Sequence, residues 1–366
     1  MAPFSVTVAL GAVLLFLVQP MVAKAVLPWF GGSAAVWTTS QLFFQLLLLG
    51  GYAWTHGLVT RLSGRAQVRV QLGLVTLAML GLAASAFAWG APAIPGVALR
   101  PETSAAPVGR LLLALTLAVG LPYFALATTG PLLQAWAARR AGASVYRLYA
   151  VSNAGSLLGL LAYPFALEPL TTLRVQGWLW AAGFAAWGVG LALAGRTVSD
   201  EVATPRRRLD ARGPWARWLA LSSLPVVLLL AVTNHLTQEV APVPFLWVLP
   251  LVAYLASFIL TFESSRWYRR AWALPVLAAL TLIIAVLRSV EQELPLPLRV
   301  ALFLGYLFVA CVTAHGELAA SRPAPELLTA FYAALALGGA LGGVFVGLVA
   351  PALFTGFVEL ELGLAA

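Results

Sequence analysis

The chain has 366 residues, 61% of them apolar and only 10% charged, with 22 basic against 13 acidic side chains for a formal charge of +9. So apolar a composition lies outside the range of soluble globular domains, and continuous apolar runs recur near the ~20-residue length that spans a bilayer as a helix. It excludes a soluble enzyme and a transmembrane β-barrel, whose strands alternate over ~10 residues. The positive charge is no mark of nucleic-acid binding, because the arginines are scattered at the ends of apolar runs.

In chain order, apolar runs fall near 4 to 28, 36 to 57, 68 to 90, 108 to 137, 146 to 167 and 173 to 195. No basic residue precedes Lys24, so the first run lacks the positive flank of a secretory signal and reads as a retained helix. A polar stretch follows at 196–217, rich in arginine. Five more runs lie near 216 to 240, 243 to 262, 271 to 288, 298 to 319 and 327 to 350. The expected organisation is a six-helix bundle over 1–195, a basic cytoplasmic linker over 196–217 and a five-helix bundle over 218–366. With the N-terminus in the cytoplasm, 16 of the 22 basic residues fall on the inner side, as the positive-inside rule requires.

The halves repeat. A shift of 183 residues lays Gln134 on Glu317, Arg139 on Arg322, Tyr149 on Tyr332, Gly155 on Gly338 and Gly159 on Gly342. A shift of 215 lays Gln19 on Asn234 and Lys24 on Glu239, and one of 210 lays Trp37 on Trp247. Both copies start on the same side, so the repeat is parallel, the arrangement of transporters with two bundles and a central site. This symmetry predicts a twelfth span after Pro351. The residues from Ala352 to Ala366 are too few for one, so an all-α fold of about eleven spans, six plus five, is expected.

Polar residues inside the spans are the candidate solute contacts. Lys24, the one lysine, follows Pro20 in span one, and its repeat mate Glu239 would lie at similar depth. Two readings stay open: a pair across a cavity, or a lysine that snorkels to the outer interface. His235 and Glu239, four residues apart, share a helix face with Gln238 beside them, suited to a proton or cation or to a structural polar cluster. Gln19, Asn153 and Ser156 complete the candidate solute-binding set. Gln134, Arg139, His315, Glu317 and Arg322 sit near the inner face, where they would form a gate or else cap helix ends and anchor loops. The two histidine–glutamate pairs lie at opposite membrane faces, and Cys311 is the only thiol, so no metal site or disulfide is expected. The GGALGG run at Gly338–Gly343 has no preceding strand and reads as helix packing rather than a nucleotide loop. No catalytic dyad or cofactor is expected.

The stretch GLVTRLSGR from Gly57 resembles the loop between spans two and three of the major facilitator superfamily, with Arg61 where that family has an acidic residue. Four longer segments resemble the membrane portion of bacterial fused major-facilitator and spermidine-synthase proteins. They are QPMVAKAVLPWFGGSAAVW from Gln19, YRLYAVSNAGSLLGLLAYPFALEP from Tyr146, TNHLTQEVAPVPFLWVLPLVAYLASF from Thr233 and HGELAASRPAPELLTAFYAALALGGALGG from His315. The resemblance implies a major-facilitator-like fold, to which the family commonly appends a soluble aminopropyltransferase-like domain. Such a domain would lie beyond Ala366, so no synthase activity is carried over. The expected function is an inner-membrane transporter of a small polar or cationic solute, with polyamine as the candidate that the resemblance implies. The alternatives are a non-transporting scaffold bound to a partner membrane subunit, or the membrane domain of a longer enzyme.

Overall fold

The computed structural model describes residues 2–30, 34–101, 107–141, 146–198, 214–239, 244–290, 294–323 and 327–354. Among them there is no strand, and ten helices are long and apolar enough to cross a membrane, with a shorter apolar helix at Val248–Glu263. The chain divides into two compact units, Met1–Gly213 with Ala324–Ala333, and Pro214–Pro323 with Ala334–Ala366.

The first unit is built from α1 (Ala2–Phe30), α2 (Ala34–Arg61), α3 (Gly64–Trp89), a span made of α4 (Pro107–Leu115), α5 (Leu121–Ala127) and α6 (Thr129–Ala141), then α7 (Tyr146–Ala162), the single turn α8 (Glu168–Leu170) and α9 (Leu173–Gly195). Helix α1 is central. A Cβ on Gly155 would lie 2.6 Å from the Ala9 carbonyl oxygen, and one on Gly159 would lie 2.6 Å from that of Val13, so α7 rests directly on the α1 backbone. On its other flank, Gly183 and Gly190 of α9 face Leu14 and Thr7, and the Trp180 indole donates to the Leu14 carbonyl at 2.9 Å. Lipid supplies no hydrophobic drive for such contacts, so small residues that admit close packing hold the helices together.

The second unit comprises α10 (Trp215–Glu239), α11 (Pro244–Glu263), α12 (Arg270–Ser289), α13 (Leu296–Ala320), the later part of α14 (Leu328–Val344) and the short α15 (Ala350–Leu353). Its core gathers Leu228, Val232 and Leu236 of α10 and Ile284 of α12 around Phe303, Tyr306, Leu307 and Cys311 of α13. Cys311 is a buried free thiol. The glycine seam recurs here: a Cβ on Gly338 would lie 2.8 Å from the Leu219 carbonyl oxygen, and one on Gly342 equally close to that of Ser223. Span eleven therefore rests on span seven through the same glycine pair that seats span five on span one, and each unit repeats the local packing of the other.

Three spans contain a wide π-turn, at Thr116–Gly120, Tyr163–Leu167 and Phe345–Val349. Each ends two residues before a proline: Pro122, Pro169 and Pro351. A proline ring collides with the carbonyl four residues back, and opening the preceding turn relieves that collision while keeping the chain helical. The second and third occupy equivalent places in spans five and eleven. The run expected over 108 to 137 is a single candidate span, Val108–Ala138, with the wide turn before Pro122 inside it.

Replacing Gly159 by valine should destabilise the purified protein by about 1–3 kcal/mol, the usual cost of overpacking. Gly81→Ala, where nothing lies within 4 Å, should cause no loss. Melting curves of both variants in mild detergent check this; equal melting would contradict the seam.

Candidate functional site

Lys24 donates to the Glu168 carboxylate at 3.0 Å, with both side chains 42% exposed. This ion pair lies within the first unit. Glu168 sits just past the wide turn of span five, one residue beyond where the apolar run ends, and so escaped the sequence reading. The side chains of Gln238, Glu239 and Arg139 lie outside the described residues. The His235 ring meets Phe303 at 4.4 Å between centroids.

Asn153 and Ser156 turn back onto their own helix, donating to the Tyr149 carbonyl at 2.9 Å and the Ser152 carbonyl at 3.1 Å. Tyr149 stacks on Tyr332, its repeat mate, at 5.0 Å with the rings 20° apart. Nearby in the same unit, His56 Nδ1 and the Thr329 hydroxyl are 3.0 Å apart. Residues 329–332 open α14, so two contacts tie the start of that helix to α2 and α7.

In the second unit the residues assigned to the inner face separate into three arrangements. His315 is wholly buried. Its Nδ1 is 2.8 Å from the Ser257 hydroxyl, and its ring stacks on Phe258 at 3.5 Å with Tyr254 edge-on. Glu317 faces the opposite way and gathers three donors. Arg217 reaches it at 2.7 Å, Arg270 makes two bonds of 2.5 Å, and the Tyr268 hydroxyl donates at 2.5 Å. Gly316 permits this, because a Cβ there would collide with the Tyr268 ring. Burial and the adjoining Glu317 carboxylate push the Tyr268 hydroxyl up to about 12. Arg322 donates to the carbonyls of Thr261 and Phe262 at 3.2 Å and lies over the Phe262 ring. It thus places a cation on the last carbonyls of α11, where the helix dipole favours one.

The first unit also contains buried polar groups that sequence reasoning passed over. Gln67 and Gln71 of α3 are fully buried. Gln67 donates to the Leu62 carbonyl at 2.8 Å and accepts from the Trp136 indole at 3.0 Å. Gln71 donates to the Thr128 hydroxyl at 2.6 Å and accepts from the Trp54 indole at 3.4 Å. The signal was their four-residue spacing, which puts two amides on one helix face. Gln19 donates to the Leu15 carbonyl at 3.1 Å and to the Tyr123 hydroxyl at 3.4 Å. Gln134 is 1% exposed, and its Oε1 has no hydrogen-bond partner among the described residues.

No protein-family signature and no curated protein matches the chain. Solved structures do. It is similar to the major facilitator superfamily proton:xylose symporter XylE bound to 6-bromo-6-deoxy-D-glucose, with a TM-score of 0.61 and 11% identity over 99% of this chain and 92% of that one. The fold is that of the major facilitator superfamily. A bacterial homologue of the iron transporter ferroportin, in its outward-facing state, is similar at TM-score 0.63 and 16% identity, over 99% of this chain and 95% of that one. The same homologue soaked with iron gives 0.60 and 15%, over 99% and 94%. The chain is accordingly a multi-pass membrane protein of the facilitator fold, and its structural neighbours are transporters.

The two ionic clusters differ in their surroundings, and that difference is measurable. Lys24 and Glu168 are half-exposed, so Glu168→Gln should cost no more than about 1 kcal/mol. Glu317 is 15% exposed and takes charged donors, whose hydrogen bonds are worth about 1.5–3 kcal/mol. Chemical denaturation of Glu168→Gln and Glu317→Gln should rank them in that order; the reverse ranking would contradict the assignment.

Proposed function

We propose that this chain carries a small polar solute across the bacterial inner membrane by alternating access, with its N-terminus in the cytoplasm and no catalysis of its own. The observation that carries the reading is the matched seating of span five on span one and of span eleven on span seven, in a chain that follows transporter folds along 99% of its length. Two bundles built alike can rock as wholes around a fixed central site. The orientation rests on the arginine distribution, and kinship with the fused spermidine-synthase family rests on the four sequence segments.

The contacts His56–Thr329 and Tyr149–Tyr332 are the parts of the inner closure in this reading. They join neutral groups, whose hydrogen bonds and ring contacts are each worth on the order of 1 kcal/mol, so they can break during a transport cycle. Gln134, Arg139 and Arg322 are assigned to the gate from their places in the sequence. Glu317 is engaged by Arg217, Arg270 and Tyr268, and its role here is to fasten α10 and α12 to α13 rather than to meet solute. His315, also placed in the gate by the sequence reading, supports α11 against α13.

Polyamine is the cationic candidate. Among the intramembrane carboxylates, Glu317 already holds arginines and Glu168 holds Lys24. Recognition of an ammonium group is assigned in this reading to Glu239, with Gln238 and His235 near it in the sequence. Gln19, Asn153, Ser156 and Lys24 complete the proposed solute-facing set. Uptake of labelled spermidine into proteoliposomes tests this: Glu239→Gln should lower saturable uptake at least tenfold. Wild-type uptake in that variant would reject Glu239 as the cation site.

A further inference from the structure

We propose that the second unit binds an anionic glycerophospholipid where α12 begins, with the phosphate held by Arg266 and Arg269 and the acyl chains laid along one face of α12 beyond Trp272. The inference goes beyond the transporter reading and does not depend on it.

A tight turn builds the polar part of the site. Between α11 and α12 lies a single 3-10 turn, Ser265–Trp267, shaped by the Ser264 hydroxyl, which accepts from the Arg266 amide at 3.4 Å. The turn sets the Arg266 guanidinium over the Trp267 ring at 5.3 Å, with both residues exposed. Tyr268 follows and is tied to Glu317, so the turn is anchored on α13. The Arg269 carbonyl then accepts from the Trp272 and Ala273 amides at 3.1 Å, which starts α12.

The arginines at this end are not alike. Arg217 and Arg270 are held by Glu317, and Arg322 donates to the carbonyls of Thr261 and Phe262. Arg266 and Arg269 are exposed and have no carboxylate partner among the described residues. Glu263, the acidic residue nearest them in the sequence, pairs with neither. Positive charge is thus left over here, on forked guanidinium groups suited to two oxygens of one phosphate. In the proposed orientation this end meets the inner leaflet, whose anionic lipids attract basic groups beside a span.

The apolar part follows from helix spacing. Positions 272, 276, 279, 283 and 286 fall on one face of α12. Trp272 is 39% exposed, Val276 41%, Ile283 46% and Val286 51%, and Ala279 is exposed as well, so this face stands open along its length. From Trp272 to Ile283 the helix rises ~16 Å, half of the ~30 Å hydrocarbon core and so the depth of one leaflet. Tryptophan favours the headgroup level. The Trp272 indole N–H has no acceptor among the described residues, which leaves it to donate to a lipid ester carbonyl. A cation, an indole and an apolar lane in that order match a phospholipid from phosphate to chain. The third span of the first unit, α3, also begins with exposed arginines, Arg65 and Arg69, but Gly73 and Thr76 come next on that face and supply no indole.

Native mass spectrometry of the purified full chain tests this in detergent, with equal amounts of dioleoyl-phosphatidylglycerol and dioleoyl-phosphatidylcholine, which share their chains. The wild type should retain the anionic lipid in preference. The double variant Arg266→Gln/Arg269→Gln should lower that preference roughly tenfold and leave melting in lipid-free detergent unchanged. Trp272→Leu should lower retention of both lipids and keep their ratio. The equal loss of charge in Arg65→Gln/Arg69→Gln should change the preference by less than about twofold, because the indole and lane are missing there. The proposal is overturned if the wild type shows no preference, if the preference survives in the first double variant, or if the α3 variant loses as much, which would mark diffuse attraction. It is equally overturned if glycerol 3-phosphate displaces the lipid at equal concentration, since the site would then take a soluble phosphate without chains.

Discussion

Where Gly155 and Gly159 face the Ala9 and Val13 carbonyls, two helix backbones meet with no side chain between them, and much of the first unit is positioned by that contact. Inside a bilayer, apolar side chains gain nothing by leaving lipid for one another. Cohesion must come from close approach, and glycine is the residue that admits it. The same device joins Gly338 and Gly342 to α10 in the second unit. With α7 fastened on α1, the wide turn before Pro169 carries the chain on to Glu168 beside Lys24. The ion pair is a consequence of the seam and the turn, not the element that assembles them.

The distribution of charge follows from the same economy. Among the described residues, lysine, arginine and glutamate are at least partly exposed, as Lys24 and Glu168 are, and at Glu317 several donors share one carboxylate. Among the described residues, the buried polar groups of the first unit are neutral amides, hydroxyls and indoles. Ions at membrane depth are costly to desolvate, while a neutral group needs only a hydrogen-bond partner. The satisfied Gln67 and Gln71 network therefore stiffens α3 against α2 and the span of α5 and α6. Gln134 and Gln176 each keep an amide oxygen without a partner among the described residues.

Spans, repeat and fold class were legible because apolar run length and a glycine spacing held across 183 residues are properties of the chain itself. Gly155 and Gly159 aligned with Gly338 and Gly342 before any packing was known, and packing then used both pairs alike. Tertiary partners were less legible. Glu168, which Lys24 meets, stands one residue past the apolar run and so gave no signal in a reading of the spans. Tyr149 and Tyr332 were paired by the repeat, yet nothing in one dimension said that they would stack. His315 and Glu317 were grouped by proximity in sequence, but positions two apart on a helix diverge, and their partners differ completely.

Alternating access requires that the closure at the start of α14 open while the glycine seams stay shut. Spin labels at His56 and Thr329, with a second pair spanning α1 and α7 as reference, test this directly when distances are read by pulsed electron resonance in lipid nanodiscs. Two resolved distances are predicted for the first pair, their ratio shifting with solute, and one fixed distance for the second. A single unchanging distance between positions 56 and 329 across all conditions would contradict a rocking transporter.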